Sequence, residues 1–219
     1  MPYYFVSQKE ITTIHILVSN ANYRQFFERY INQKINCIFM NIFDNNFKEI
    51  FSSQIVSIVG GLIAGTILAI YTDKILLIPG MLILLPGFLE MRGNISGSLA
   101  SRLSSGLFLG LINPNNIKTK IIKGNLWASF LLSILVSFAL GVIAFLFNYL
   151  ILQTFTLWII LVPLIAGLIA NAIEIPLTLF VTFYLFKKGH DPNNIMGPFV
   201  TSTVDITSIV SLLIALMII

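Results

Sequence analysis

The stretch MGPFVTSTVDITSIVSLLIALMII, residues 196–219, reads as a membrane-crossing helix that carries a single acid, Asp205. A segment of this length makes a helix of roughly 36 Å, against a hydrocarbon core of about 30 Å. A carboxylate near the centre of such a helix costs roughly 3 kcal/mol on insertion scales. From Pro192 to Ile219 no other side chain ionises at neutral pH. A membrane helix that keeps such a group has a use for it.

The rest of the chain has the same character. Its 219 residues are 57% hydrophobic and 10% charged, where soluble domains carry about 25% charged residues. That is the composition of a polytopic membrane protein, and the length suits one membrane domain. The formal net charge is +4, but Lys and Arg lie between apolar runs and form no basic patch, which argues against a nucleic-acid partner. Cys37 is the single cysteine, so neither an internal disulfide nor a thiolate metal cluster is expected. His15 and His190 lie far apart and outside any metal-ligand pattern. The first long apolar run begins near Phe51, too late and too long for a cleaved signal, and is expected to remain as a span.

Residues 1–49 hold a mixture of charges and read as a cytoplasmic N-terminal segment. Within it, ANYRQFFERYINQKINCIFMNIF (21–43) interleaves aromatic and basic residues. This fits an interfacial amphipathic helix, a helix packed on the membrane domain, or a leader. Residues 50–219 form the membrane domain. Phe51–Thr72 carry no charge and make one span. A second apolar run, from Ile75 to Ile112, is interrupted by EMRGN (90–94). As helix it would be roughly 57 Å long. It is either one long span broken near Gly93, or two spans. Gly124–Phe186 hold one charge, Glu174, and make two spans parted near NYLILQTFT (148–156). The loop KKGHDPNN (187–194) leads into the last.

Loop charge decides the count. With five spans and a cytoplasmic N-terminus, the inner loops hold Lys118, Lys120, Lys123, Lys187 and Lys188, and the outer loops only Lys74. Six spans reverse that asymmetry downstream of Arg102. The expectation is an all-α protein with five transmembrane helices and its C-terminus outside. No internal repeat is visible.

Polar residues fall at helical spacing in three of these segments. Thr201, Asp205 and Ser208 share one helix face, Asn171, Glu174, Thr178 and Thr182 another, and Asn94, Ser98, Ser101 and Ser105 a third. Ser and Thr alone could bond their own helix carbonyls or join helices. The carboxylates add a second meaning. Asp205 and Glu174 have no evident basic partner at their depth, and oxygen ligands beside hydroxyls and amides suit a hard cation such as Mg²⁺. Mn²⁺ and Co²⁺ fit the same donors. Glu90 and Arg92 flank Gly93 and would either make a local ion pair or mark a broken helix whose Asn94 and carbonyls bind an ion. Gly61–Gly65, Gly93–Gly97 and Gly106–Gly110 have the spacing that lets membrane helices approach closely.

Two blocks carry a family resemblance. GHDPNNIMGPFVTSTVDITS (189–208) resembles the G-x-D-P…G-P-x-x-T-[TS]-x-x-D block of the MgtE magnesium transporters. RGNISGSLASRLSSG (92–106) resembles the G-N-x-x-x-x-L-A-S-R-L-S block of the eukaryotic solute carrier family 41 proteins. The resemblance covers roughly Lys48–Ile219. It implies five helices per protomer and a pore formed by a homodimer, which would account for the missing repeat. It also implies that Asp205 holds hydrated Mg²⁺ on the pore axis, with Gly93 and Asn94 beside the pathway and Asn171 and Glu174 on the fourth helix. Thr201 stands one turn before the aspartate. Arg92 replaces the first Gly of the bacterial pattern and Ser98 its Gln.

The resulting expectation is a divalent-cation transporter or channel of the inner (plasma) membrane, driven by the ion gradient. Mg²⁺ is its cargo, and no cofactor is expected. The family's cytosolic domains with paired CBS modules have no counterpart in the 49 residues before the first span, so transport without that regulatory gate is expected. A non-transporting scaffold subunit is the alternative. An enzyme is not expected: an aspartyl protease needs a second membrane aspartate, and a zinc enzyme needs His ligands that the spans lack.

Overall fold

The computed structural model describes Arg29 and residues 44–219. The expectations for residues 1–43, among them the interfacial helix, Cys37 and His15, lie outside the described residues. Five long helices and one short one carry the rest, with no strand among the described residues: α1 Asn45–Ile70, α2 Thr72–Ile75, α3 Met81–Phe108, α4 Lys120–Ile151, α5 Trp158–Lys187 and α6 Pro192–Ile218.

Four of these helices, α1, α4, α5 and α6, are long and apolar enough to cross a membrane. The helix α3 is long enough too, but Glu90, Arg92, Arg102 and a series of Gly and Ser residues make it the least apolar. It is also the most buried, with half of its 28 residues inside. It packs against α4, α5 and α6, which turn their apolar outer faces away from it. A lipid-facing surface is as apolar as a core, so the polar helix takes the interior and the apolar ones the rim.

No break occurs at Gly93. The helix runs unbroken from Met81 to Phe108, through Pro86 and Gly93. A glycine inside a helix costs only about 1 kcal/mol, and burial on three sides outweighs it. Carbonyls freed by a broken helix, expected near Asn94, are therefore absent there.

The helix ends follow from local chemistry. Gly189, with φ of +83°, closes α5: its N–H donates to Phe186 O, and the His190 N–H to Leu185 O, both at 3.1 Å. This is the paired bonding of a left-handed helix stop, where glycine avoids a side-chain clash. Asp191 then caps α6, its carboxylate accepting from the Asn193 N–H at 2.8 Å, and Pro192 occupies the first turn. The G-H-D-P sequence is thus a two-helix corner. Thr119 caps α4 in the same way, accepting from the Ile122 N–H.

The interior is layered. One apolar cluster joins Met81, Leu84, Phe88, Val162, Ala166 and Leu212. A second joins Leu99, Leu103, Leu107, Ile122 and Phe183. Arg92 and Glu174 lie along the helices between them.

Close approaches fall at glycines other than the expected pairs. A Cβ at Gly61, Gly65, Gly93, Gly97 or Gly110 would meet nothing within 4 Å, and one at Gly106 would meet only Ile112, just beyond its own helix. The tight positions between helices include Gly60, where a Cβ would stand 2.5 Å from Ser202 Cβ, Gly167, where it would stand 2.6 Å from Ser137 Oγ, and Gly141, where it would stand 2.8 Å from Ile160 O. At Gly141 the obstacle is backbone, which cannot rotate away. Gly141→Ala is expected to destabilise the α4–α5 packing by about 1–3 kcal/mol, read as a lower melting temperature in detergent. An unchanged melting temperature would mean that these helices part at no cost.

The helix α1 touches the others along a thin line of small residues, Ser53, Gly60 and Ala64. Pro198 has no N–H to give the carbonyl one turn earlier, Asn194 O. Ser53 Oγ of α1 donates to that oxygen at 3.3 Å. Nearby, Glu49 Oε2 accepts from Asn194 Nδ2 at 3.2 Å, and Glu49 Oε1 lies 2.8 Å from His190 Nδ1.

Candidate functional site

The three polar stripes form as helical spacing predicts, but they face different ways. Asn94, Ser98, Ser101 and Ser105 are all exposed along α3. Asn171, Glu174, Thr178 and Thr182 are all buried along α5. On α6, Thr201 is exposed, Asp205 is half-buried and Ser208 is fully buried.

The buried stripe meets a cation. The Arg92 guanidinium, 0% exposed, pairs with the Glu174 carboxylate, 1% exposed. Arg92 Nη1 donates to Asn171 Oδ1 at 2.7 Å and to Ser133 Oγ of α4. Arg92 Nη2 and Ser96 Oγ both donate to Glu174 Oε2, the latter at 3.1 Å. Thr207 Oγ1 of α6 donates to Glu174 Oε1 at 2.8 Å. The expectation that Glu174 has no basic partner at its depth is therefore corrected. Both its oxygens are engaged, and so is Asn171 Oδ1. The local Glu90–Arg92 ion pair does not form either. Two residues apart on a helix, these side chains point to nearly opposite sides.

The open stripe is acidic. Asp205 has no hydrogen-bond or ion-pair partner among the described residues, and its charged neighbour across the α3–α6 seam is Glu90. Glu90 is exposed and accepts from Asn94 Nδ2 at 3.1 Å. Gly93 and Gly97 keep part of the α3 side of this face free of bulk, and Gly197 and Thr201 continue it along α6. Arg102 is drawn toward α4, donating to Ser129 Oγ at 2.9 Å. Asp205, Asn94, Thr201 and Gly93, all expected at a site, thus stand on one open polar face. Glu174 and Asn171, also expected there, stand in the interior behind it.

Four participants were not singled out as candidates from the sequence: Glu90 on the face, and Arg92, Ser96 and Thr207 in the interior. Glu90 had a signal, since it lies one turn before Asn94 and so shares its side of the helix. Arg92 had a weaker one. Its position, two residues from both Glu90 and Asn94, turns it away from them and into the protein.

Among the described residues, no group of three or more His, Cys, Asp or Glu could cage a metal ion. What the open face offers is a pair of acids with amide and hydroxyl groups, suited to a hydrated hard cation held through its waters.

The MgtE family profile, described as a divalent cation transporter, matches residues 85–215. No curated protein and no solved structure matches the chain. The matched region covers more than half of the sequence and contains both polar layers in full, from Glu90 and Arg92 to Asp205 and Thr207. It also takes in two of the four strongly apolar helices whole and most of a third, so this is a multi-pass membrane protein from a transporter family. The chain belongs to the MgtE family of divalent cation transporters.

Proposed function

We propose that the protein carries Mg²⁺ across the inner membrane, down its electrochemical gradient, as a homodimer. Each protomer contributes five spans, with α3 as the fifth, the N-terminus in the cytoplasm and the C-terminus outside. The observation that supports this is the open polar face of α3 and α6. An acid-bearing stripe cannot face lipid at mid-membrane without a cost of several kcal/mol. A second copy, set against it across a two-fold axis, covers the face and encloses a wet passage. Two Asp205 carboxylates then oppose one another, and a divalent ion relieves their repulsion.

In this reading Asp205 is the principal ligand, acting through water, with Asn94 and Thr201 beside it. Gly93 contributes an absence of bulk. Glu174 and Asn171 stand in support rather than on the ion. Binding must stay moderate for the ion to leave, and a site that grips through water achieves that. Uptake measured in liposomes holding only this chain tests the proposal. Mg²⁺ entry that follows an imposed membrane potential is expected. No entry at any potential would leave a scaffold subunit as the reading.

Gly93 offers a second test. A methyl there meets nothing within the protomer, and Gly→Ala in a helix adds about 0.5–1 kcal/mol of stability. Gly93→Ala is expected to melt no lower than the wild type yet to carry the ion about tenfold more slowly. Unchanged uptake would remove Gly93 from the pathway.

A further inference from the structure

Resting on the reading that Asn94 and Asp205 face the ion, we infer that Arg92 and Glu174 are positioning residues. They form a buried clamp that fixes the rotation of α3 and α6 about their own axes. The argument is geometric. Successive helix residues are separated by about 100°, so positions two apart point roughly 200° from one another. Arg92 and Asn94 are such a pair on α3, and Thr207 and Asp205 are such a pair on α6. In each, one member is tied to Glu174 and the other faces the open polar stripe.

One carboxylate thus takes bonds from both helices: Arg92 and Ser96 on α3 at Oε2, and Thr207 on α6 at Oε1. Arg92 extends the tie to α4 through Ser133 and returns it to α5 through Asn171. Apolar contacts between membrane helices are nearly indifferent to rotation, because one Leu replaces another against lipid or protein. Directional bonds are not indifferent. Turning α3 by one residue position would withdraw Arg92 from Glu174 and turn Asn94 off the open face. The clamp also keeps a full positive charge paired and turned from the face that receives a cation.

Thr207 is the part that can be altered while the ion pair stays whole. Thr207→Val keeps the shape and removes the hydroxyl, and Thr207→Ser restores it. In proteoliposomes, Thr207→Val is expected to raise the half-saturating Mg²⁺ concentration about tenfold, with a melting temperature close to wild type. Thr207→Ser is expected to return it to within about twofold of wild type. Wild-type Mg²⁺ dependence in Thr207→Val would overturn the clamp, as would equal loss in both variants. The reciprocal exchange Arg92→Glu with Glu174→Arg separates positioning from ligation. A clamp survives the exchange and leaves measurable uptake, whereas a Glu174 that ligated the ion would leave none. Full uptake by Asp205→Asn would instead fault the pathway reading beneath, whatever Thr207 does.

Discussion

Asp205→Asn is expected to reduce Mg²⁺ uptake to the level of empty liposomes while the protein inserts and melts as before. The substitution keeps the size of the side chain and removes its charge. At an effective dielectric of about 20, two unit charges at 4 Å attract by about 4 kcal/mol, and a divalent ion doubles that. A water layer increases the separation and weakens the attraction, yet a loss of even half of 4 kcal/mol is more than tenfold in binding. In the proposed homodimer the charge is lost twice. Stability should not fall, because Asp205 has no hydrogen-bond or ion-pair partner among the described residues to lose. Its charged neighbour is another acid, Glu90, so removing one charge relieves repulsion. Uptake within twofold of wild type would show that the ion crosses elsewhere. A collapse of folded protein would show that the carboxylate is structural.

The opposite pattern is expected at Arg92, where stability falls first. Arg92→Leu leaves Glu174 buried at 1% exposure without its cation. Breaking a buried pair by removing one partner costs about 3–5 kcal/mol. Ser133 and Asn171 lose their donor at the same time. Unfolding in mixed detergent should therefore show a loss of that order. The double variant Arg92→Leu with Glu174→Leu should recover much of it, since two apolar side chains pack without a charge to satisfy. Equal losses in the single and double variants would mean that packing of the Arg92 stem dominates. A single variant as stable as wild type would dismiss the pair as a structural element.

The helices were legible because their signals are local. Uncharged runs marked four of the long helices, and the G-H-D-P corner is written in residues that stop and start helices. The first of the two spans expected within Gly124–Phe186 starts earlier as a helix, since Thr119 caps α4 and Lys120 begins it. The polar stripes were legible as faces, because spacing decides which residues share a side. What a face meets is not local. Asn94 to Ser105 and Asn171 to Thr182 have similar composition and spacing, yet one is open and the other buried against Arg92. That partner lies 82 residues from Glu174 along the chain. Glycine spacing misled for a related reason. Gly61 and Gly65 fit the close-packing pattern, but the neighbouring Gly60 meets Ser202. The break expected at Gly93 rested on a local weakness that burial on three sides removes.

The central place of α3 has a consequence for biogenesis. Arg92 leaves the ribosome 82 residues ahead of the acid that neutralises it. At roughly 5–20 residues per second, that interval is about 4–16 seconds. During it the nascent chain holds an uncompensated guanidinium, so α3 is expected to wait at the insertase or the lipid boundary until α5 emerges. Glycosylation mapping of chains stopped before Trp158 should find α3 uncommitted, and chains stopped after Lys187 should find it threaded.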